Sequence, residues 1–321
     1  MKNYMAGFRS PNEVKDFETR YRLEVPYGTR LLENILFSIA SVGKPRRMDM
    51  LEFLDQRRAD GRLNHVALDS GGYQVAKGKL TVDAMMELDK QVYRKYPNFD
   101  AYFLPDSPLL PNDGTELAEM KIKKNIAMGL ELFEALPDKV KAKSIPIFHL
   151  QNIGQMESQI KGFEPIVERS NYIAISGVGL GTKFDHKVRL VTELLSAYGS
   201  DIKIHSLGDG NTKRLLALDM AGIYSNDTTT HFIAAATGKA VMPFIGTVYL
   251  DDVSAEGWKG ICQGAGHRCA FCDDFTLLKK DLVWRKIHNL LVYRDLEAKY
   301  EYASKEDLSN DFYYLKQEEL F

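Results

Sequence analysis

His65-Val66-Ala67-Leu68-Asp69-Ser70-Gly71-Gly72-Tyr73-Gln74-Val75 reads as a short buried strand that stops in a carboxylate, a hydroxyl and two glycines before polarity resumes. The glycines remove side-chain bulk and permit unusual φ/ψ, so backbone here can come close to a ligand. Asp69 offers a base or an acceptor, and Tyr73 offers a flat face for a planar heterocycle. Taken alone, the same residues would also serve as a capped strand-to-turn junction. The rest of the chain decides between the two.

Outward from this run the pattern alternates. Apolar strand-like runs occur at 65–68, 101–104, 145–150, 172–175, 202–207 and 222–224, and amphipathic helical stretches at 81–96, 115–136, 155–169, 183–198 and 212–220. Such alternation implies a parallel sheet. The strand tips carry polar groups: Asp69, Asp106, Gln151, Ser176-Gly177, Gly208-Asp209-Gly210 and Asn226-Asp227. An open sheet concentrates function at one or two tips, whereas a closed barrel brings all its tips to one face. The expected fold class is therefore α/β, a (β/α)8 TIM barrel with an inserted C-terminal zinc-binding subdomain. Residues 1–250 would form the catalytic barrel, and 251–321 the zinc-binding subdomain with helices closing the barrel. Residues 31–42 read as an early strand or a buried helix, 48–58 as a helix stopped by Gly61, and 274–302 as a long amphipathic helical region.

With 321 residues, 45% of them apolar, the chain can bury a sizeable core, and its net charge of −2 sets up no global field for nucleic acid. No stretch approaches ~20 consecutive apolar residues, and Met1-Lys2-Asn3-Tyr4-Met5-Ala6 lacks the apolar core of a secretory signal, so a cytoplasmic protein without membrane association is expected. All three cysteines, Cys262, Cys269 and Cys272, fall in one short segment, which is unlike a disulfide framework and like a metal site. Cys269-x-x-Cys272 has a spacing typical of one zinc, with His267 and His288 close in sequence.

Asp69-Ser70-Gly71-Gly72-Tyr73-Gln74 resembles the signature of the tRNA-guanine transglycosylases, which exchange a guanine base for a 7-deazaguanine. Four further segments are similar to that family in the same order: Asp106 in Leu104-Pro105-Asp106-Ser107-Pro108, Gln151 in His149-Leu150-Gln151-Asn152, the Gly-rich run from Ser176 through Gly181, and Gly222-Ile223-Tyr224-Ser225-Asn226-Asp227. The likeness spans about residues 65 to 290. It implies that Asp227 is the nucleophile and Asp69 the second catalytic carboxyl. It further implies that Ser70, Gly71, Gly72, Tyr73, Asp106, Gln151, Gly177 and Val178 bind the base. The physical logic agrees. A carboxylate can replace a base without hydrolysis by forming a covalent sugar ester, and a second group must give and then take a proton.

Lys286-Ile287-His288-Asn289-Leu290 resembles the family segment with the zinc-ligating histidine. The family pattern Cys-x-Cys-x-x-Cys is broken here, because in strict register His267 stands for the first cysteine. Ligand chemistry instead favours Cys262 with Cys269, Cys272 and His288 around a structural Zn2+. Thr182 stands where queuosine enzymes carry a glutamate for an aminomethyl cation, which favours a neutral nitrile-bearing base, preQ0. The Arg- and Asn-rich run of the tRNA enzymes is replaced by 231–238, from His231 to Gly238, which favours the DNA-modifying branch. Expected partners are thus nucleic acid, DNA before tRNA, and a free 7-deazaguanine base. Lys259, Arg268, Lys279, Lys280, Arg285 and Lys286 are candidate phosphate contacts. A non-catalytic accessory subunit and a metal-dependent barrel hydrolase are the competing readings.

Overall fold

The computed structural model describes residues 1–28, 30–110, 112–149, 154–176 and 184–302. Among them, nine strand segments form one sheet: β1 (Lys2–Met5), β2 (Asn34–Ser38), β3 (His65–Asp69), β4 (Ala101–Phe103), β5 (Ser144–Ile145), β6 (Ile147–His149), β7 (Tyr172–Ser176), β8 (Lys203–Ser206) and β9 (Ser225–Thr228). The order across the sheet is β5-β4-β3-β2-β1-β9-β8-β7-β6, and every pairing in it is parallel. The two ends of this order, β5 and β6, are consecutive in the chain and flank Pro146. Proline has no amide proton, so it interrupts the ladder without turning the chain. On one side Leu104 donates to Ile145 at 2.9 Å, and on the other Ala174 donates to Pro146 at 2.9 Å. The two segments are thus one stave, and the barrel closes with eight.

Period-two alternation gives each stave an inner and an outer face. Tyr4, Leu36, Ala67, Phe103, Ile145, Ile147, Tyr172 and Ala174 pack together as the inner cluster. The larger cluster, including Ile35, Val66, Leu68, Tyr102, Phe148, Ile173 and Ile204, joins the outer face to the surrounding helices. This division sets the site. Residues two beyond the inner ones on their own staves, Ser38, Asp69, His149 and Ser176, point to the same side at the C-terminal mouth.

All five expected helices between the staves are present, as Val82–Lys95, Thr115–Ala135, Gly154–Ser170, Phe184–Tyr198 and Thr212–Met220. Two expectations need correction. The strand at 222–224 lies instead at Ser225–Thr228, because Gly222 adopts φ +98° and ends the preceding helix. The helical region 274–302 is two helices, Phe275–Lys280 and Leu282–Tyr302, separated at Asp281. The segment 31–42 resolves as a strand, β2. After the barrel come an antiparallel hairpin, β10 (Lys239–Met242) with β11 (Gly246–Tyr249), and helices at Ala255–Gly264 and Ala270–Asp273. The departure from the barrel pattern thus begins at Lys239, ahead of residue 251. No helix among the described residues is long and apolar enough to cross a membrane.

Candidate active site and metal centre

The two glycines after Asp69 have separate physical reasons. Gly71 adopts φ +91° and a Cβ there would lie 2.4 Å from the Ala40 Cβ. A Cβ on Gly72 would lie 2.0 Å from Asp106 Oδ1 and 2.5 Å from the Asp106 carbonyl. The absent side chain is what lets the β4 tip press its carboxylate against the β3 turn, and so brings two expected site residues together.

Asp106 is buried, with Oδ2 2.9 Å from Nε2 of the buried His149, off the line of a hydrogen bond. His149 is itself held by Gln159, which accepts from its amide at 2.9 Å and donates to its carbonyl at 3.0 Å. Asp227, also buried, has a different setting: its Oδ1 accepts from the Gly208 amide at 2.8 Å and lies 3.2 Å from Nε2 of His205. Among the described residues, Asp69 is set by carboxylates and hydrogen bonds rather than by an imidazole. Desolvation, then the charge of Asp106 and that of Asp227, push its carboxyl up to about 7, against hydrogen bonds from Ser38 and the Gly71 amide. The carboxyls are therefore unequal: one holds a proton near neutral pH while Asp227 is braced by two donors.

Ser70 is fully buried and its hydroxyl has no partner among the described residues. Tyr73 stands 60% exposed on the short helix Gly72–Ala76, with the Lys77 ammonium 4.3 Å from its ring centre, so one face is covered by a cation. Gln151, Gly177, Val178 and Thr182 lie outside the described residues.

Sequence reasoning missed four groups. His205 sits within its stave, and His149, the last residue of β6, lies inside the expected strand run 145–150, so a search for polar tips passes over both. Lys187 is buried, pairs with Asp209 at 3.0 Å and donates to Ser206, so it braces the β8 tip that carries Gly208. Asp89, on the helix Val82–Lys95, is wholly buried, with neither oxygen hydrogen-bonded among the described residues; desolvation and then the charges of Asp69 and Asp106 hold it well above the usual carboxylate range. Asp89 looked like the polar face of an amphipathic helix.

The metal group forms with one exchange. His267, Cys269, Cys272 and His288 bring one ligand atom each to within 4.8 Å of one another; Cys262 is not among them. Cys262 lies on the helix Ala255–Gly264 and its carbonyl accepts from the His267 amide at 3.1 Å, so it adjoins the cluster through its backbone. The expectation of Cys262 is thereby corrected in favour of strict register. The Cys269 and Cys272 sulfurs are 3.3 Å apart, and Nδ1 of His288 is 3.6 and 3.4 Å from them. A tetrahedral ion with bonds near 2.0–2.3 Å separates its ligands by roughly 3.3–3.8 Å, so the donor set fits a metal ion. Both imidazoles are oriented from behind, His288 by donating Nε2–H to the Val241 carbonyl at 3.1 Å and His267 by Asp295, 2.7 Å from its Nδ1.

The expected phosphate contacts divide. Arg285 is buried, donating to the carbonyls of Ala235, Leu278 and Lys279, and Lys286 lies over the Phe232 and Phe17 rings; both hold the fold together. Lys279 pairs with Asp251, and Arg268 lies 3.7 Å from Asp273. Lys259 and Lys280 are exposed. The run after Asp227 forms the helix Thr230–Ala236, with His231, Ala234 and Ala235 buried. Burial and the nearby Lys286 push the His231 imidazole down to about 3, so it stays neutral.

No protein-family model matches the sequence, and no curated protein is similar to it.

Proposed function

We propose that this protein is a guanine transglycosylase that exchanges a guanine in a polynucleotide for a free 7-deazaguanine, with DNA as the favoured polymer and preQ0 as the favoured base. The observation that carries this reading is the inequality of the carboxyls at one barrel mouth. Asp227 has one oxygen tied to Gly208 and His205, and Asp69 has a pKa of about 7. In the first half-reaction an Asp227 oxygen bonds to C1′, the C1′–N bond breaks, and its electron pair leaves with guanine, which takes a proton from Asp69. In the second, Asp69 removes a proton from the incoming base, whose nitrogen attacks C1′ and returns the pair to Asp227. A group titrating near neutrality can both give and take that proton. Buried Asp106 lies beside Gly72 and is suited to hydrogen-bond the base.

The metal group would hold Zn2+ in a structural role, because four protein ligands leave no open position. DNA is favoured over tRNA because the run after Asp227, where tRNA enzymes carry Arg and Asn, is here a packed apolar helix. The test is to incubate the protein with labelled preQ0 and, separately, duplex DNA, single-stranded DNA or tRNA. Label should enter DNA, and Asp227→Asn should abolish incorporation while keeping the fold. Asp69→Asn should lower exchange by roughly 10²–10⁴-fold. Label entering tRNA alone would overturn the choice of polymer; label entering neither would overturn the reading.

A further inference from the structure

Beneath Asp227 a line of hydrogen bonds runs into the barrel. His205 Nε2 lies 3.2 Å from Asp227 Oδ1, His205 Nδ1 lies 2.7 Å from Ser225 Oγ, and Ser225 Oγ lies 2.6 Å from Tyr172 OH. His205 and Ser225 are fully inaccessible to solvent. The direction of each bond follows from the end of the line. An ionised carboxylate has no proton to give, so Nε2 must donate. The neutral ring then has only a lone pair at Nδ1, so Ser225 donates to it, and Tyr172 in turn donates to Ser225. Burial lowers the His205 pKa, which keeps the ring in this neutral form despite Asp227. The imidazole is packed edge-on against Tyr4 and Phe103, with centroids 5.8 and 4.8 Å away, so it has no freedom to turn aside.

We propose that His205 is the positioning residue of the nucleophile: with the Gly208 amide it fixes Asp227 Oδ1, so that Oδ2 attacks C1′, and the same two donors draw off the charge when the carboxylate leaves again. This rests on Asp227 being the attacking group. As Oδ2 bonds to C1′, the electron pair of the broken bond leaves with guanine, the proton from Asp69 neutralises it, the negative charge ends on Asp69, and Oδ1 becomes an ester carbonyl. When the new base displaces Oδ2, the electron pair and the charge return to the carboxylate. A donor binds a carboxylate more strongly than an ester carbonyl. His205 therefore favours breakdown of the ester, and preserves turnover by preventing the intermediate from accumulating.

The experiment measures the ratio of covalent adduct to free enzyme at equilibrium with a labelled guanine oligonucleotide and free guanine, together with turnover. His205→Leu should raise the adduct ratio by about tenfold to a hundredfold, the worth of a hydrogen bond to a charged group, and slow turnover. His205→Gln places an amide N–H near the lost Nε2 and should restore the ratio most of the way. Ser225→Ala, which frees the ring to take the other tautomer, should shift the ratio in the same direction and supplies the reading if the leucine variant does not fold. Metal content and melting temperature verify the fold of each. An unchanged ratio, a ratio that falls, or a glutamine variant no better than leucine would overturn the role of His205. Wild-type protein that exchanges bases without forming any adduct on Asp227 would instead overturn the assignment of the nucleophile, and the proposal with it.

Discussion

A carboxyl that keeps its proton to about pH 7 weakens the fold it sits in, and Asp69 is such a group. Its ordinary value is 3.8, and burial beside Asp106 and Asp227 raises it to about 7. Between these values the folded chain holds a proton that the unfolded chain has released, so stability falls as pH rises through the window, and the loss is complete above about 7. The effect reaches up to roughly 4 kcal/mol, an upper bound because Asp69 keeps partial access to solvent. Asp69→Asn removes it. The asparagine variant should gain on the parent steadily from pH 4 to pH 8, measured as urea midpoints, while losing exchange activity. A difference in midpoint that stays constant over this range would show that Asp69 carries no raised pKa. The residue scale is also where the sequence was most legible and most misleading. Asp69, Asp106 and Asp227 each end a strand-like run, and a strand end is a place that a sequence displays. His205 lies just below the tip of β8, inside Lys203–Ser206, and its hydrogen-bond partners Ser225 and Asp227 both come from β9; nothing local distinguishes it from a core histidine.

At the scale of elements, the glycines of the β3 turn show how one strand tip depends on its neighbour. Gly72 lies flush against the backbone of Asp106, and a Cβ would meet both the carboxylate and the carbonyl. Gly72→Ala must therefore move the β4 tip, with an expected cost of about 1–3 kcal/mol and a loss of base binding. Gly260 is the useful contrast. It lies inside the helix Ala255–Gly264 with nothing within 4 Å of a built Cβ, so Gly260→Ala should stabilise by about 0.5–1 kcal/mol. Equilibrium urea unfolding of both variants checks the pair, and a Gly72→Ala variant as stable as its parent would show that the close approach is not needed. The apolar runs at β3, β4, β5–β6 and β7 come from staves that carry apolar residues on both faces. β9 reads Ser-Asn-Asp-Thr, polar throughout and still buried at every residue, because its inner side chains face the site and Asn226 donates to the Asp209 carbonyl. An apolarity pattern cannot find such a strand, which is why the run just before it was read in its place. β1 was missed because four residues at the chain's start carry too short a pattern to register.

For the whole molecule, the metal group ties together parts of the chain that the barrel alone does not order. Cys269 precedes and Cys272 lies within the one-turn helix Ala270–Asp273, His288 belongs to the long helix Leu282–Tyr302, and His288 also reaches back to Val241 on β10. The long helix carries Asn289, which accepts from the Val241 amide at 2.7 Å, and Tyr293, which donates to the Gly210 carbonyl beside the site. A metal bound by these four ligands therefore connects the hairpin and the short helices to the element that supports the β8 tip. Removing it should loosen residues 239–281 first and depress exchange only as a consequence. The expected observations are about one zinc per purified chain, loss of that zinc with chelator, and hydrogen exchange that rises in the C-terminal segment before it rises in β2 and β3. Register predicts the variants. His267→Ala should lose the metal, whereas Cys262→Ser should keep it, because Cys262 stands outside the ligand group and adjoins it through its carbonyl, which accepts from the His267 amide. Metal analysis of the two purified variants decides between them: zinc retained without His267 and lost without Cys262 would restore three thiolates and one imidazole as the ligand set. It would also mean that the helix Ala255–Gly264 turns its thiol inward when the ion binds.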